Sequence, residues 1–345
     1  MPAFISGFVD AVPLPALVIR SDERIEAANP LAQTLLGSGI VGRHFITALR
    51  QPQLLDAIEN SLRDRAPRAA DYMGNDGRQD TTFRVAVRPV ELPIGAAVLV
   101  SFEDVTHAEQ LIQMRRDFVA NVSHELKTPL TALIGFIETL KGPARNDPVG
   151  QARFLNIMEA EAHRMNRLVS DLLSLSRVEA DERVRPTERL NLADLILATI
   201  SGLSPLAQEA DVTLQHDLPD TRVVIPGDQD QLHQVLTNLV ENAIKYCGAG
   251  TSVTVRLGAP DYAPGLREQA VTLVIQDTGP GIDPIHLPRL TERFYRIDNH
   301  RSREMGGTGL GLAIVKHIIN RHRGRLKIES ALGQGTRFTI TLPVK

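Results

Sequence analysis

The sequence has a single cysteine, Cys247, among its 345 residues. One cysteine excludes an intrachain disulfide and any metal site built from several cysteines. Proteins of oxidising compartments commonly rely on disulfides, so this usage favours a reducing compartment. We therefore predict a cytoplasmic protein. An association with the inner face of the plasma membrane would need segments or partners outside this chain.

Long hydrophobic runs are also missing. No window approaches the roughly 18 consecutive apolar residues that a membrane-spanning helix needs. The chain starts with MPAFISGFVDAVPLPALVIR, which lacks the basic segment and long apolar core of a signal peptide. We expect no membrane span in this chain.

The sequence has little net charge. The formal value is −3, and acidic and basic residues are interspersed rather than gathered into a stripe. A nucleic-acid-binding surface usually needs a basic patch, so we do not expect nucleic acid as a partner. Hydrophobic residues make up 43% of the sequence, which is enough to bury a core in each of two or three domains.

The spacing of apolar residues changes twice along the chain, which predicts three regions. Residues 1–106 mix short apolar runs, such as 17–19 and 96–102, with helical stretches, as in an α+β domain. Residues 107–182 are helical except for KGPARNDP, whose glycine and prolines separate two long helices. Residues 183–345 return to alternating apolar residues with helices between them, as in a second α+β region.

Both long helices of the middle region carry a seven-residue apolar repeat, so we expect them to pair as a hairpin. Further apolar positions widen the stripe beyond what one antiparallel partner would cover. Dimerisation into a four-helix bundle would bury this surface, so we predict a homodimer. The repeat positions are Val119, Val122, Leu126, Pro129, Leu133, Phe136 and Leu140, then Met158, Glu161, Met165, Leu168, Leu172 and Leu175; the further positions are Leu130, Ile137, Val169 and Leu173.

His124 falls on the side of the first helix opposite this seam, so its imidazole should face solvent. Glu125 lies beside it and can take a proton from the ring, and Thr128 follows one turn later on the same side. An isolated His–Glu pair on a helix is most often only a solvated surface pair. A chemical role for His124 therefore requires a phosphoryl donor elsewhere in the chain.

The segment HQVLTNLVENAIKY, residues 233–246, predicts an amphipathic helix in the last region. Asn238, Asn242 and Lys245 recur at intervals of four and three residues, so they share one helix face. A carboxamide oxygen suits Mg²⁺ that phosphates already hold, and a lysine on the same face can meet phosphate charge. Amides that only cap or bridge to a loop would show the same spacing.

The segment VIQDTGPGI predicts a buried strand that ends at Asp277. An acidic acceptor there could hold an amino group such as that of adenine, and Gly279 and Gly281 would let the backbone approach the base. An Asp-x-Gly-x-Gly turn is common in proteins, so this segment alone indicates little.

The segment GGTGLGLAIVKHIINRH places Gly306, Gly307, Gly309 and Gly311 before a helix. Clustered backbone N–H groups at a helix N-terminus form an anion site. The spacing differs from the Walker phosphate loop, and no strand directly precedes it as in a dinucleotide fold. The polar stretch 288–305 before it is predicted to be a mobile cover over a nucleotide.

In this order the segments resemble the H, N, G1, F and G2 boxes of bacterial two-component sensor histidine kinases. The resemblance extends over residues 107–345, and residues 292–330 are also similar to the phosphate-regulon sensor kinases within that family. The boxes contain His124, Asn242, the DTGPG stretch at 277–281, FYR at 294–296 and GTGLG at 307–311.

This resemblance implies that ATP phosphorylates a nitrogen of His124 and that the phosphoryl group then passes to an aspartate of a response regulator. It also implies that the kinase dephosphorylates this regulator and that the pathway is phosphate-starvation signalling. Glu125 would be the general base, and Glu125 with Thr128 would position water for dephosphorylation.

The resemblance further implies the cofactors ATP and Mg²⁺, with Asn242 as the principal magnesium ligand and Asn238 nearby. A departure from the family pattern is Cys247, which follows Tyr246 where a hydroxyl-bearing or aromatic residue is more usual. The implied nucleotide contacts are Lys245 and Arg296 to phosphates, Tyr246 against adenine, Asp277 to its amino group, Gly279 and Gly281 beside the base, Gly309 and Gly311 under the phosphates, and Gly307, Thr308 and Leu310 as further ATP-binding residues.

The first region resembles a PAS domain in LVIRSDERIEAANPLAQTLLG, residues 17–37, and in LVSFEDVTHAEQ, residues 99–110. Another small α+β module would explain these segments too. The expected architecture is a PAS-like α+β sensor domain at 1–106, an all-α dimerising and phosphotransfer hairpin at 107–182, and an α/β sandwich ATP-binding domain at 183–345 of the histidine-kinase and chaperone-ATPase type.

Two other functions fit parts of the sequence. An ATP-hydrolysing relative of the chaperone and mismatch-repair ATPases would need a glutamate four residues before the metal-binding asparagine, and that position is Asn238. A non-catalytic signalling scaffold would need no intact boxes. We therefore expect an enzyme of the protein-histidine kinase class.

Overall fold

The computed structural model describes residues 2–75, 80–93, 95–182, 184–297 and 307–345. Its contacts divide the chain into two units, residues 1–120 and 121–345. The helix Thr106–Lys141 contains the boundary between these units.

The first unit has the α+β composition that the sequence predicts. Its sheet has the strand order β2–β1–β5–β4–β3, and every neighbouring pair is antiparallel. The elements are α1 (Pro2–Asp10), β1 (Ala16–Arg20), β2 (Ile25–Ala28), α2 (Pro30–Leu36), a short 3-10 helix (Phe45–Thr47), α3 (Pro52–Asp64), β3 (Arg68–Asn75), β4 (Asp80–Leu92) and β5 (Gly95–Asp104).

Successive side chains of β1 point to opposite faces of this sheet, so the strand contributes apolar residues to both faces. Leu17 and Ile19 belong to a core that includes Leu54 and Ile58 of α3. Ala16 and Val18 point to the opposite face, where they pack with residues of α1. The sheet is therefore covered on both faces.

Asn29 fixes the start of α2. Its side chain is buried, and its Oδ1 accepts hydrogen bonds from the backbone N–H groups of Ala16, at 3.0 Å, and Ala32, at 2.9 Å. Its Nδ2 donates to the carbonyl of Leu14 at 2.7 Å. A buried amide with its donors and acceptors engaged is well suited to hold a turn, a strand and a helix together.

The two predicted long helices are α4 (Thr106–Lys141) and α5 (Pro148–Ala180). Pro148 begins α5, and the rings of Phe136 and Phe154 lie 5.5 Å apart between the two helices. Leu168 and Leu175 of the predicted seam are buried, as is Pro129 within α4. The residues that widen the stripe are exposed in the single chain: Leu130, Ile137, Val169 and Leu173.

The remaining elements form an α/β sandwich. Its sheet has the strand order β12–β13–β11–β9–β7, with β10 beside β11 and a parallel pairing between β7 and β9. The elements are β6 (Arg189–Asn191), α6 (Leu192–Glu209), β7 (Val212–Asp217), β8 (Val224–Pro226), α7 (Gln229–Cys247), β9 (Thr251–Leu257), β10 (Asp261–Ala263), β11 (Glu268–Asp277), a 3-10 helix (Pro284–Arg289), α8 (Gly311–Arg321), β12 (Arg325–Ser330) and β13 (Thr336–Pro343).

Helix α7 packs against the sheet and also against α6 and α8. Leu236, Leu239 and Val240 are fully or almost fully buried, and Asp228 caps the N-terminus by accepting a hydrogen bond from Gln231 N–H at 3.1 Å. Its remaining polar face is the one that carries the predicted Asn238, Asn242 and Lys245, so the packing of α7 directs these residues away from the core.

Candidate active site

Asp277 ends β11 at the floor of a pocket of about 540 Å³. The residue is 7% exposed, and its Oδ1 accepts hydrogen bonds from the N–H groups of Gly279, at 2.9 Å, and Thr336, at 3.2 Å. Burial raises the pKa of its carboxyl, and these N–H groups act in the opposite direction. The carboxylate is thus oriented by the backbone, as an acceptor for a ligand's amino group needs to be.

Glycine is required in the turn after Asp277. Gly281 has a φ of +70°, and a Cβ atom there would lie 2.0 Å from the carbonyl oxygen of Ala331. At Gly279 a Cβ atom would lie 2.6 Å from Cα of Cys247, so the turn rests directly on the end of α7. The small, buried Cys247 is therefore compatible with this close approach, although it departs from the family pattern.

The polar face of α7 lines the same pocket. Asn238, Asn242, Lys245 and Tyr246 all contribute to its wall, as the helical spacing predicts. The Lys245 ammonium lies 2.7 Å from the carboxylate of Glu241, one turn earlier. This pair keeps one positive charge and one negative charge at the rim of the pocket.

The glycine segment forms the opposite wall and leads into α8. Gly307, Thr308, Gly309 and Gly311 line the pocket, whereas Leu310 is fully buried and anchors the segment to the core. Asn238 Nδ2 donates to the carbonyl of Gly311 at 3.3 Å, which ties this wall to α7. Gly306 and positions 298–305 of the predicted cover lie outside the described residues.

His124 is exposed on α4, as its position in the heptad predicts. Thr128 Oγ1 donates to the backbone carbonyl of His124 at 3.1 Å. Neither residue is among the described residues that line the pocket. The candidate phosphoacceptor and the candidate donor pocket are therefore two separate surfaces in this conformation.

Glu125 has partners that the sequence did not predict. Its Oε2 accepts a hydrogen bond from Arg164 of α5, at 2.9 Å, and from Arg296, at 3.2 Å. Arg296 also lines the pocket and was predicted to meet phosphates. The segment before it is held in place as well, because Tyr295 Oη lies 2.6 Å from His286 Nδ1.

A second contact joins the hairpin to the glycine segment. Thr308 Oγ1 donates to Asp171 Oδ2 of α5 at 2.6 Å, and burial raises the pKa of the Asp171 carboxyl. Asn166, Arg167 and Ser170 of α5 line the pocket beside Asp171. The hairpin thus supplies one wall of the pocket.

The sequence did not predict that these α5 residues line the pocket, because the heptad repeat of α5 indicates only a dimerisation surface. A signal was present for Asp171, a charged residue that lies three residues after Leu168 and four before Leu175, on the buried side of the helix. The segment after β12 was missed as well, and there Gly335 and Thr336 help to form the Asp277 turn.

Further contacts join α5 and the residues just after it to the α/β sandwich. Arg293 pairs with Glu179 at 2.6 Å, and His317 of α8 lies between Glu179, at 3.5 Å, and Glu182, at 3.3 Å. These side chains are partly exposed, so each pair adds little stability alone. Together they show that the sandwich packs against the hairpin in this conformation.

Two features are missing from the described residues. They contain no group of three or more His, Cys, Asp or Glu side chains that could hold a metal ion. None of the helices in the described ranges combines the length and apolarity needed to cross a membrane.

Family comparisons agree with the two halves of this site. Residues 227–345 match the family "Histidine kinase-, DNA gyrase B-, and HSP90-like ATPase", and residues 114–181 match the "His Kinase A (phospho-acceptor) domain". The first match contains the pocket residues of α7, β11 and the glycine segment. The second contains His124, Glu125 and Asp171.

Individual relatives extend the match to the first unit. The phosphate regulon sensor protein PhoR of Pseudomonas aeruginosa is 42% identical over 339 residues, which are 94% of this chain and 70% of PhoR. The sensor histidine kinase WalK of Bacillus subtilis is 35% identical over 306 residues, 87% of this chain and 49% of WalK. The chain therefore spans 70% of one of these relatives and about half of the other.

A solved structure shows the same fold. The structure of the histidine kinase ThkA in complex with the response regulator protein TrrA has a TM-score of 0.54 to this chain, with 21% identity and coverage of 98% of both chains.

Proposed function

Because the chain belongs to the two-component sensor histidine kinases, and is thus an ATP-binding protein-histidine kinase, we propose that it transfers the γ-phosphoryl group of ATP to His124. The observation that supports this best is the presence, in one chain, of an exposed histidine on α4 and of a pocket lined by Asp277, by the polar face of α7 and by the glycine segment. We define Tyr246, Asp277 and Gly281 as the base end of the pocket; Gly279 does not line the pocket but supports Asp277 from the turn. Lys245, Arg296 and residues 307–311 form the phosphate end of the pocket.

At the base end, Asp277 accepts a hydrogen bond from the adenine amino group, and Tyr246 packs against the ring. At the phosphate end, Lys245 and Arg296 neutralise phosphate charge, and the N–H groups at the start of α8 bind phosphate oxygens. Phosphoryl transfer depends mainly on such positioning and charge neutralisation.

The residues of this pocket would hold magnesium together with the nucleotide. The described residues offer no cluster that holds a metal by itself, whereas Asn238 and Asn242 present neutral oxygen donors in the pocket. Asn242 is proposed as the principal protein ligand, and phosphate oxygens complete the coordination. The ion would reduce the charge repulsion around the γ-phosphorus.

In the transfer step the bond from the γ-phosphorus to the bridging oxygen of ADP breaks as a bond to the His124 ring nitrogen forms. Glu125 accepts the ring proton. In the present conformation the Glu125 carboxylate is engaged by Arg164 and Arg296. Transfer therefore requires Arg296 to exchange Glu125 for phosphate oxygens.

Hydrolysis of ATP as the main activity is disfavoured by Asn238, which occupies the position where the chaperone-type ATPases carry their catalytic glutamate. Phosphoryl transfer to an aspartate of a response regulator fits the family better, and the relative ThkA was solved in complex with such a regulator. Glu125 and Thr128 are proposed to position water when the kinase dephosphorylates the regulator.

The biological setting is proposed from the relatives and the exposed surfaces. PhoR is named for the phosphate regulon, so we propose phosphate-starvation signalling in the cytoplasm. The exposed Leu130, Ile137, Val169 and Leu173 support a homodimer that completes a four-helix bundle. The sheet order of the first unit supports a PAS-like sensor domain at 1–106, followed by a hairpin at 107–182 and a catalytic domain at 183–345.

The decisive test is incubation of the chain with γ-labelled ATP and Mg²⁺, alongside His124→Gln and Asn242→Ala. We expect label that is lost in acid, survives alkali and is missing in both variants. Phosphate release that persists in His124→Gln, with no labelled protein, would identify an ATPase instead. A chain that neither incorporates label nor releases phosphate would support the scaffold function.

A further inference from the structure

Asp171 of the hairpin contacts the phosphate end of the nucleotide pocket directly. Its Oδ2 accepts the hydroxyl hydrogen of Thr308 at 2.6 Å, and its side chain lines the pocket. Thr308 lies between Gly307 and Gly309, in the segment proposed to surround the phosphates. The only hydrogen that the Thr308 hydroxyl can donate is thus bonded to a carboxylate from another domain.

The charges around Asp171 are mixed. Arg167 of α5 and Lys245 of α7 are positive neighbours, and Glu241 is a negative one. Asp171 is half-buried, so its interactions with nearby charges are screened less than those of a fully exposed carboxylate. A triphosphate entering this end of the pocket would meet Asp171 as a like charge in a poorly screened environment.

The other proposed phosphate contact is also bonded to a hairpin carboxylate where phosphate oxygens are expected. Arg296 is bonded to Glu125, at 3.2 Å, which is also a carboxylate of the hairpin. Two side chains of the phosphate end, on separate segments of the sandwich, therefore each bind a hairpin carboxylate. Carboxylate and phosphate oxygens are alternative acceptors for the same donors.

We propose that Asp171 competes with the nucleotide phosphates for Thr308, so that docking of the catalytic domain on α5 lowers its affinity for ATP. By reciprocity, bound ATP weakens the docking by the same free energy. This inference rests on the proposed placement of phosphates at residues 307–311. It gives the hairpin a role in nucleotide affinity that is separate from presenting His124.

The test measures the affinity of the full chain for a non-hydrolysable ATP analogue and for adenosine. Asp171→Asn keeps the size of the side chain and an acceptor oxygen but removes the charge, and Asp171→Ala removes both. Glu159→Gln is the matched control, because Glu159 is an exposed carboxylate on the same helix. Adenosine has no phosphates, so it separates competition at the phosphate end from a general change in the pocket.

We expect Asp171→Asn to bind the analogue roughly 5- to 20-fold more tightly, because the negative charge beside the bound phosphates is removed. Asp171→Ala should bind the analogue at least as tightly. Neither variant should change the affinity for adenosine, and Glu159→Gln should bind both ligands as the unaltered chain does. Unchanged or weaker analogue binding in both Asp171 variants would overturn the proposal, and so would an equal gain for adenosine. Failure of the unaltered chain to bind the analogue would instead overturn the proposed function on which the inference rests.

Discussion

The base end of the nucleotide pocket is held by contacts within the sandwich, whereas the phosphate end is held both by sandwich contacts to its backbone and by hairpin contacts to its side chains. Asp277 is oriented by the N–H groups of Gly279 and Thr336, both from its own sheet region. Thr308 and Arg296 are oriented by Asp171 and Glu125 of the hairpin helices. The base end is therefore built in advance, and the phosphate end depends on where the sandwich is docked.

This difference suits an enzyme that must bind ATP and then move. A preformed base end costs no reorganisation when adenine binds. In the proposed transfer, the side chains of the phosphate end would have to exchange their hairpin partners for phosphate oxygens, which would couple nucleotide chemistry to the docking of the sandwich. The comparison can be tested by changes that affect one end alone.

The largest effect is expected at Glu125, which holds the phosphate end and is the proposed base. Glu125→Gln should lower the rate of His124 phosphorylation by roughly 100-fold or more, as loss of a general base does. Binding of a non-hydrolysable ATP analogue should not weaken, because Arg296 loses a charged competitor. Rapid-quench labelling and equilibrium titration measure the two quantities.

Glu138→Gln is the control for this experiment, since Glu138 is an exposed carboxylate on the same helix. It should change neither quantity. If Glu125→Gln weakened analogue binding as much as it slowed phosphorylation, the separation between holding the phosphate end and accepting the proton would be wrong.

Asp277 tests the base end. Asp277→Asn should weaken adenosine and the ATP analogue to a similar extent, roughly 10- to 100-fold, as loss of hydrogen bonds to a charged group does. The exposed Asp261 gives the matched control, Asp261→Asn, which should bind both ligands normally. Calorimetric titration with both ligands is the measurement, and a selective loss of the analogue alone would contradict a role at the base.

The smallest expected effect concerns His322, which joins the helices that carry the two ends. Its Nδ1 donates to the Ile318 carbonyl at 2.7 Å, and its Nε2 accepts from Asp228 N–H at 3.0 Å, at the cap of α7. Burial lowers the pKa of His322 below its ordinary value of 6.5. On acidification, His322 therefore takes up its proton at a higher pH in the unfolded chain than in the folded one.

Stability contributed by neutral His322 is complete above pH 6.5 and declines as the pH falls from there toward the lower folded pKa. We expect the opening free energy of α8, measured by hydrogen exchange, to fall by about 1.4 kcal/mol for each unit of pKa difference. His322→Gln should lose stability at neutral pH and lack this pH dependence. An identical pH dependence in both chains would assign the effect to other groups.

Much of the site could be predicted because its residues lie close together in sequence. A helix of known period places Asn238, Asn242 and Lys245 on one face, and the glycine segment leads into α8 as expected. The exposure of His124 followed from the heptad in the same way. Local periodicity is sufficient for such residues because neighbours three or four apart share a helix face whatever the rest of the chain does.

The partners of these residues could not be predicted in this way. Glu125 is 171 positions from Arg296, and Asp171 is 137 positions from Thr308. No local pattern relates residues so far apart, since their contact depends on how α5 packs against the sandwich.

The sequence by itself determined the helix faces, the glycine turns and the order of the boxes, because these follow from backbone conformation and short-range periodicity. The tertiary structure alone decided that hairpin carboxylates occupy the phosphate end, because a carboxylate finds its partner by packing across domains. The same residues can therefore specify a nucleotide site locally and restrain that site through contacts that only folding brings together.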